Sequence, residues 1–232
     1  MASNDSSAVR LELTTDPTSG VGSLGAAVVA LITNINMSAI AAAMGNLLFH
    51  AGAVSSVEGD VAVICGPSGS GKSTLTVRLV ESGLAYLTDE TTCVDPITLR
   101  VTPFRKPLSL KPGSQVDLAH LRDTVESAAA RYGDDVWLIR YTELGGSPLP
   151  ATPLQPRLLI FPEYSVGERL SVQRLSPGEA ALALGGNSSG LRAVRGGPLP
   201  ALARLVEQAP AYRIAHSDAE AAAHQVRELM AA

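Results

Sequence analysis

The residues Gly66-Pro67-Ser68-Gly69-Ser70-Gly71-Lys72-Ser73 fit the pattern G-x-x-x-x-G-K-[ST]. Phosphate oxygens need closely spaced backbone N–H donors, and glycines let a loop turn those groups inward without Cβ clashes. Gly66, Gly69 and Gly71 permit such a turn, with Ser68 and Ser70 between them. Lys72 offers a point charge for β and γ phosphates, and as a solvent-facing side chain it should be removable without opening a core cavity. The Ser73 hydroxyl suits a magnesium ion bridging the same oxygens, and Thr74 lies close enough to help. This grip serves ATP and GTP, transferases and hydrolases alike, so other residues must decide.

Asp89 and Glu90 follow on a short strand candidate, Ala85 to Leu87. In a doubly wound sheet that strand end shares a crevice with the phosphate loop. Asp89 suits magnesium, and Glu90 suits proton acceptance from an attacking hydroxyl. Adjacent strand residues face opposite ways, so both reach one site only if the chain turns at Thr88. His50 precedes the strand leading to the loop and is open to pairing with Glu90, to phosphate contact, or to a capping or core role. Only three of the 18 basic residues are lysines: Lys72, Lys106 and Lys111. Arg105, Lys106 and Lys111 lie in PFRKPLSLKPG, where prolines would hold three cations extended toward an acidic peptide or a phosphate. A solvated loop is the alternative. Arg192 and Arg195, in the glycine-rich segment Gly185 to Gly197, could fold over a γ phosphate or belong to a plain surface loop. His120, His216 and His224 show no metal-ligand spacing. Cys65 and Cys93 read as small core thiols.

The elements that would position these groups follow from periodicity. Val61 to Cys65 is a continuous apolar run suited to a strand buried on both faces. From Lys72 the spacing of Leu75, Leu79 and Val80 is helical, and Gly83 stops it. Val9 to Thr14 is a strand candidate and Ser38 to Phe49 a buried helix candidate. Thr92 to Asp95 and Leu99 to Thr102 read as a hairpin across Asp95-Pro96, and Val136 to Tyr141 and Leu158 to Phe161 as further strands of the sheet. Ser176-Pro177-Gly178-Glu179 is a capping box opening a helix to about Leu184, and Ser217 with Glu220 repeats the signal for a last helix. Gly185 to Gly197 carries too much glycine for regular structure.

Composition bounds the function. The 232 residues suit one domain, and 46% hydrophobic with 17% charged residues excludes disorder. A net charge of -4 argues against a general nucleic-acid surface. The apolar stretch from Ala26 to Phe49 is interrupted by Thr33, Asn34, Asn36, Ser38 and Asn46, so no membrane span is expected. The start MASNDSSAVR lacks the features of a secretory signal, which makes the cytoplasm the expected compartment. No Asn-Lys-x-Asp tetrapeptide is present to read guanine.

The span from His50 to Ser114 resembles the HPr kinase/phosphorylases and their smaller relatives in bacterial biosynthetic clusters: a histidine, the phosphate loop, a helix, "G-x-x-x-x-x-D-[DE]" and a basic strip. The resemblance implies an α/β P-loop nucleotide-binding domain like the C-terminal domain of those kinases, related to phosphoenolpyruvate carboxykinase, with a mostly parallel central sheet and flanking helices. It implies an ATP- and magnesium-dependent kinase acting on a serine of a peptide or small protein, with Asp89 associated with magnesium and Glu90 with proton transfer. The second acid is usually aspartate in that family, and there is no room for the separate N-terminal domain of its full-length members. The expected organisation is one domain, 1–232: a lead-in to residue 50, a nucleotide-binding core over 51–161 and a helical part over 162–232. A homo-oligomer is left open, as are two rivals: a nucleotide-dependent NTPase or switch, and a non-catalytic ATP-binding partner in a biosynthetic complex.

Overall fold

A run such as Val61 to Cys65, with no polar side chain, is stable as a strand only if both of its faces are covered. In a computed structural model, which describes residues 24–111, 118–121, 131–132 and 136–232, both faces are. The first half of the chain forms α1 (Leu24–Ala42), β1 (Leu47–Phe49), β2 (Ala51–Ser55), β3 (Asp60–Cys65), α2 (Lys72–Glu81), β4 (Ala85–Thr88), β5 (Thr92–Val94), β6 (Val101–Thr102) and β7 (Leu108–Leu110). The second half adds β8 (Arg131–Tyr132), β9 (Val136–Ile139), β10 (Gln155–Tyr164), β11 (Ser171–Arg174), α3 (Pro177–Gly186), β12 (Ser188–Ser189), α4 (Pro198–Gln208), β13 (Ala211–His216) and α5 (Ala219–Ala231).

The central sheet has the order β11-β13-β10-β3-β2-β4. Its middle is parallel, β3 with β10 and β10 with β13, while β2 runs antiparallel to β3 and β4, and β11 antiparallel to β13. The fold is therefore α/β with a mixed sheet, not the mostly parallel one expected: β2 reverses into β3 across residues 56–59 and β11 follows β10 after residues 165–170, neither with a helical crossover, whereas β4, reached through α2, runs with β3. Alternation along β3 sends Val61, Val63 and Cys65 into one core with α3 and α4, and Ala62 and Ile64 into another with α2 and α5. A second sheet, β12-β1-β5-β6, closes the first core through Leu47, Phe49 and Val94. A third, β7-β9-β8, adds Leu108, Leu110 and Ile139 to the second.

Several expectations hold: β3, α2 with Gly83 in the left-handed region, β4, the β5–β6 hairpin, and the Ser176/Glu179 capping box. Others are corrected. The helix expected over Ser38 to Phe49 ends at Ala42, because Gly45 turns the chain at a φ of 100° and the branched and aromatic residues beyond it pair as β1. Asp218, not Ser217, caps α5, accepting from the Glu220 and Ala221 amides. Val136–Ile139 joins the small third sheet and not the central one. Residues 162–232 are not simply helical, since β13 lies inside the central sheet and β11 at its edge. Gly185 to Gly197 is partly regular, with β12 paired to β1. Val9 to Thr14 lies outside the described residues. Among the described residues, no helix is long and apolar enough to cross a membrane.

Candidate functional site

The parallel strands end at one side of the sheet, and the glycine loop leaves β3 there. A Cβ on Gly71 would lie 3.3 Å from Tyr164 Cβ and 3.4 Å from His216 Nε2, so the loop rests on the last residues of β10 and β13. Glycine is needed twice over, because Gly71 has a φ of 92° and a Cβ on Gly66 would meet Ser70 Oγ at 2.8 Å. This is the carboxyl end of the parallel strands, the side on which open α/β sheets take ligands. His216 is fully buried beneath the loop in an edge arrangement with the Tyr164 ring, a placement that its spacing from the other histidines does not signal.

Lys72 is buried, a correction to the solvent-facing side chain expected. Its Nζ donates to the carbonyls of Gly66 at 2.6 Å and Pro67 at 2.7 Å, curling back over the loop it follows. Burial holds its pKa below the usual lysine value, with the Lys111 charge acting in the same sense. Ser70 Oγ is buried without a hydrogen-bond partner. Thr74 is buried in the first turn of α2 beside half-buried Ser73, while Ser68 and Gly69 are exposed.

The chain does turn at the end of β4, and both acids converge. Lys106 Nζ lies 2.8 Å from Asp89 Oδ1 and 3.2 Å from Glu90 Oε2. Asp89 is almost wholly buried and also accepts from the Tyr86 hydroxyl at 3.0 Å and the Ser109 amide at 3.1 Å. Glu90 is nearly half exposed, with Asn36 of α1 donating to Oε2 at 3.4 Å. Burial alone would lower the Lys106 pKa, but the charges and hydrogen bonds of Asp89 and Glu90 outweigh it and raise it. Desolvation, then the hydrogen bond to Asp89 and the acidic neighbours, pushes the Tyr86 phenol up.

His50 sits where the sheets meet. Its amide donates to the Asn187 carbonyl at 2.7 Å, and its Nδ1 is 3.2 Å from the Glu90 carbonyl oxygen. A carbonyl only accepts, so that bond places the proton on Nδ1 and leaves Nε2 a lone pair. Burial and the Lys72 charge lower the His50 pKa, and Glu90 and Lys111 also act on it. His50, Lys72, Glu90 and Lys111 thus share one electrostatic neighbourhood, although they span 62 positions of sequence.

No family model matches this chain, and no curated protein matches it.

The basic strip does not present one face. Lys106 points inward to the acids, and Arg105 lies over the Tyr141 ring, 4.0 Å from its centre. Tyr141 in turn stacks on Tyr86 at 5.2 Å. Exposed Lys111 reaches back to the phosphate loop, its Nζ 3.4 Å from Ser68 Oγ. The separation follows from strand pairing: once β7 pairs with β9, alternate residues around it are sent to opposite sides. Arg195 does not reach the loop, since it pairs with Asp95 at 3.1 Å and Asn46 at 3.2 Å beyond the far end of β5 from Glu90. Arg192 is exposed on a neighbouring turn.

For magnesium the chain offers hard oxygen donors in the Ser73 hydroxyl and Asp89, whose two carboxylate oxygens are held here by Lys106, Tyr86 and Ser109. Among the described residues no group of three or more His, Cys, Asp and Glu gathers to hold a metal alone. Magnesium bound through one or two carboxylates plus nucleotide phosphates needs no such group.

Proposed function

We propose that the protein is an ATP-dependent kinase that passes the γ phosphoryl group to a hydroxyl, with a serine of a peptide or small protein as acceptor. The observation that carries this reading is the convergence of Asp89 and Glu90 on Lys106 beside a glycine loop seated on the ends of β10 and β13. The loop amides and Ser70 Oγ would meet phosphate oxygens, and Lys72 would exchange two carbonyls for the β and γ phosphates. Magnesium, held by Ser73 and Asp89, would neutralise charge developing on those oxygens. Glu90, the exposed acid, would take the acceptor's proton as the new oxygen–phosphorus bond forms and the bond to the ADP oxygen breaks in line. Lys111, beside Ser68, supports the nucleotide and not the acceptor.

The test is labelled ATP with magnesium and serine-containing peptides, following phosphopeptide and free phosphate separately. Wild type should make phosphopeptide and gain melting temperature with Mg-ATP. Glu90→Gln should keep the thermal gain and lose roughly 10² to 10⁴ in transfer rate. Lys72→Ala should lose the gain. Free phosphate with no acceptor product would favour the NTPase, binding without turnover the non-catalytic partner, and no gain in wild type would sink the nucleotide site itself.

A further inference from the structure

The glycine loop has unlike neighbours on its two sides. Toward β2 and β4 lie His50, Asp89 and Glu90, while toward β10 and β13 lie Tyr164 and His216. A nucleoside triphosphate on such a loop is held by its phosphates, and in-line transfer requires the γ phosphorus to face Glu90. The ribose and base then trail the other way, over the ends of β10 and β13.

An aromatic ring stands there. Tyr164 ends β10, its Cβ 3.3 Å from the position a Gly71 Cβ would take. Alternation from Leu158 and Ile160 puts it on the sheet face that carries α2, the helix into which the loop runs. Among the aromatic side chains described, Tyr164 alone is exposed, at 38%. The ring of buried His216 meets it edgewise, with centroids 5.8 Å apart, and the rest of its surface is left open. Its backbone is tied down on the far side. The Ser165 amide donates to the His216 carbonyl at 3.0 Å, and Ser217 Oγ donates to the Glu168 carbonyl at 2.8 Å. The ring is thus rooted before any ligand arrives, which keeps the ordering cost of binding small.

We infer that Tyr164 is the base platform of a nucleotide subsite, on which a purine stacks while its triphosphate occupies the glycine loop. The occupant is a base because a rigid, open π face lies one residue from the phosphate grip on the side away from the acids. Stacking tolerates any base edge, so the ring adds affinity for nucleosides as a class, and purines, with the larger face, gain most. The subsite rests on the nucleotide reading of the loop and adds a hold on the part of the ligand that does not react.

Calorimetric titration of the full chain with Mg-ATP and, separately, with magnesium tripolyphosphate reads it, because the second ligand carries the phosphates without the nucleoside. Wild type should bind ATP about tenfold or more tighter than tripolyphosphate. Tyr164→Ala and Tyr164→Leu should each lose that advantage while binding tripolyphosphate as wild type does, and Tyr164→Phe should keep it. Leucine still fills space against Gly71 and His216 but has no π face, which separates stacking from support of the loop. Equal weakening of both ligands in Tyr164→Leu would make Tyr164 a prop for the loop and overturn the subsite. So would a leucine variant with the full ATP advantage, or a wild type that binds the two ligands alike. Binding of neither ligand by wild type would overturn the loop reading and the subsite together.

Discussion

Lys106 is the residue on which the site turns. A buried cation between two carboxylates is stabilising chiefly in the sense that removing it is costly, since the partner charge stays behind in a poor solvent. Lys106→Met should cost about 3 kcal/mol in urea unfolding, because Asp89 is nearly inaccessible and keeps only Tyr86 and Ser109 as donors. Adding Asp89→Asn should recover part of that loss, and a single-mutant cost under about 0.5 kcal/mol, the usual surface range, would mean the acids relax into water. The acids and the loop were legible in sequence because their chemistry is local, a few residues on one turn. The role of Lys106 was not, since a salt bridge across 16 and 17 positions leaves no short-range pattern and the strip's residue types fit outward and inward cations equally. The rarity of lysine in this chain was the one signal pointing to it.

At the scale of elements, the position of α2 depends on how closely it can approach the sheet. A Cβ on Gly52 of β2 would lie 2.4 Å from Thr76 Oγ1, which itself donates to the Lys72 carbonyl at 2.8 Å. Thr76 is short and branched and has no flexible end to move aside. Gly52→Ala should therefore cost about 1–3 kcal/mol and push out the first turn of α2, the turn carrying Lys72 and Ser73. Thermal melts should show both the loss and a smaller Mg-ATP shift, with Thr76→Ala restoring each, and an unaltered melt would mean the helix is not set by this contact. β3 and α2 were readable because a short apolar run and a capped amphipathic turn each have one solution. β13 was not, since two adjacent half-buried residues, Tyr212 and Arg213, break the two-residue period of AYRIAH and its neighbours in the sheet come from far along the chain.

The molecule as a whole should be most stable near neutral pH, and its two limits have different owners. The folded state holds the His50 pKa below 6.5, so the unfolded chain binds that proton first and stability falls as the pH drops below 6.5. On the alkaline side, burial pushes the Cys65 thiol from 9.0 up to about 12, so the unfolded thiol ionises first and stability falls above pH 9. Tyr86, also raised, adds to the decline above pH 10. Urea midpoints measured across pH should show both limbs, with Cys65→Ala moving the alkaline onset upward; an onset unmoved by that change would assign the limb to other groups. The placement of β10 between β3 and β13 carries one more consequence, in the order of synthesis. The phosphate loop leaves the ribosome attached to a β3 whose second edge, lined by Val61 to Cys65, stays unpaired until Gln155–Tyr164 is made. The floor under Gly71 waits longer still, for His216. A nascent chain thus carries its most apolar strand half-paired through more than a third of its translation, when nucleotide cannot yet rescue it and premature contact with a neighbouring chain is the competing reaction.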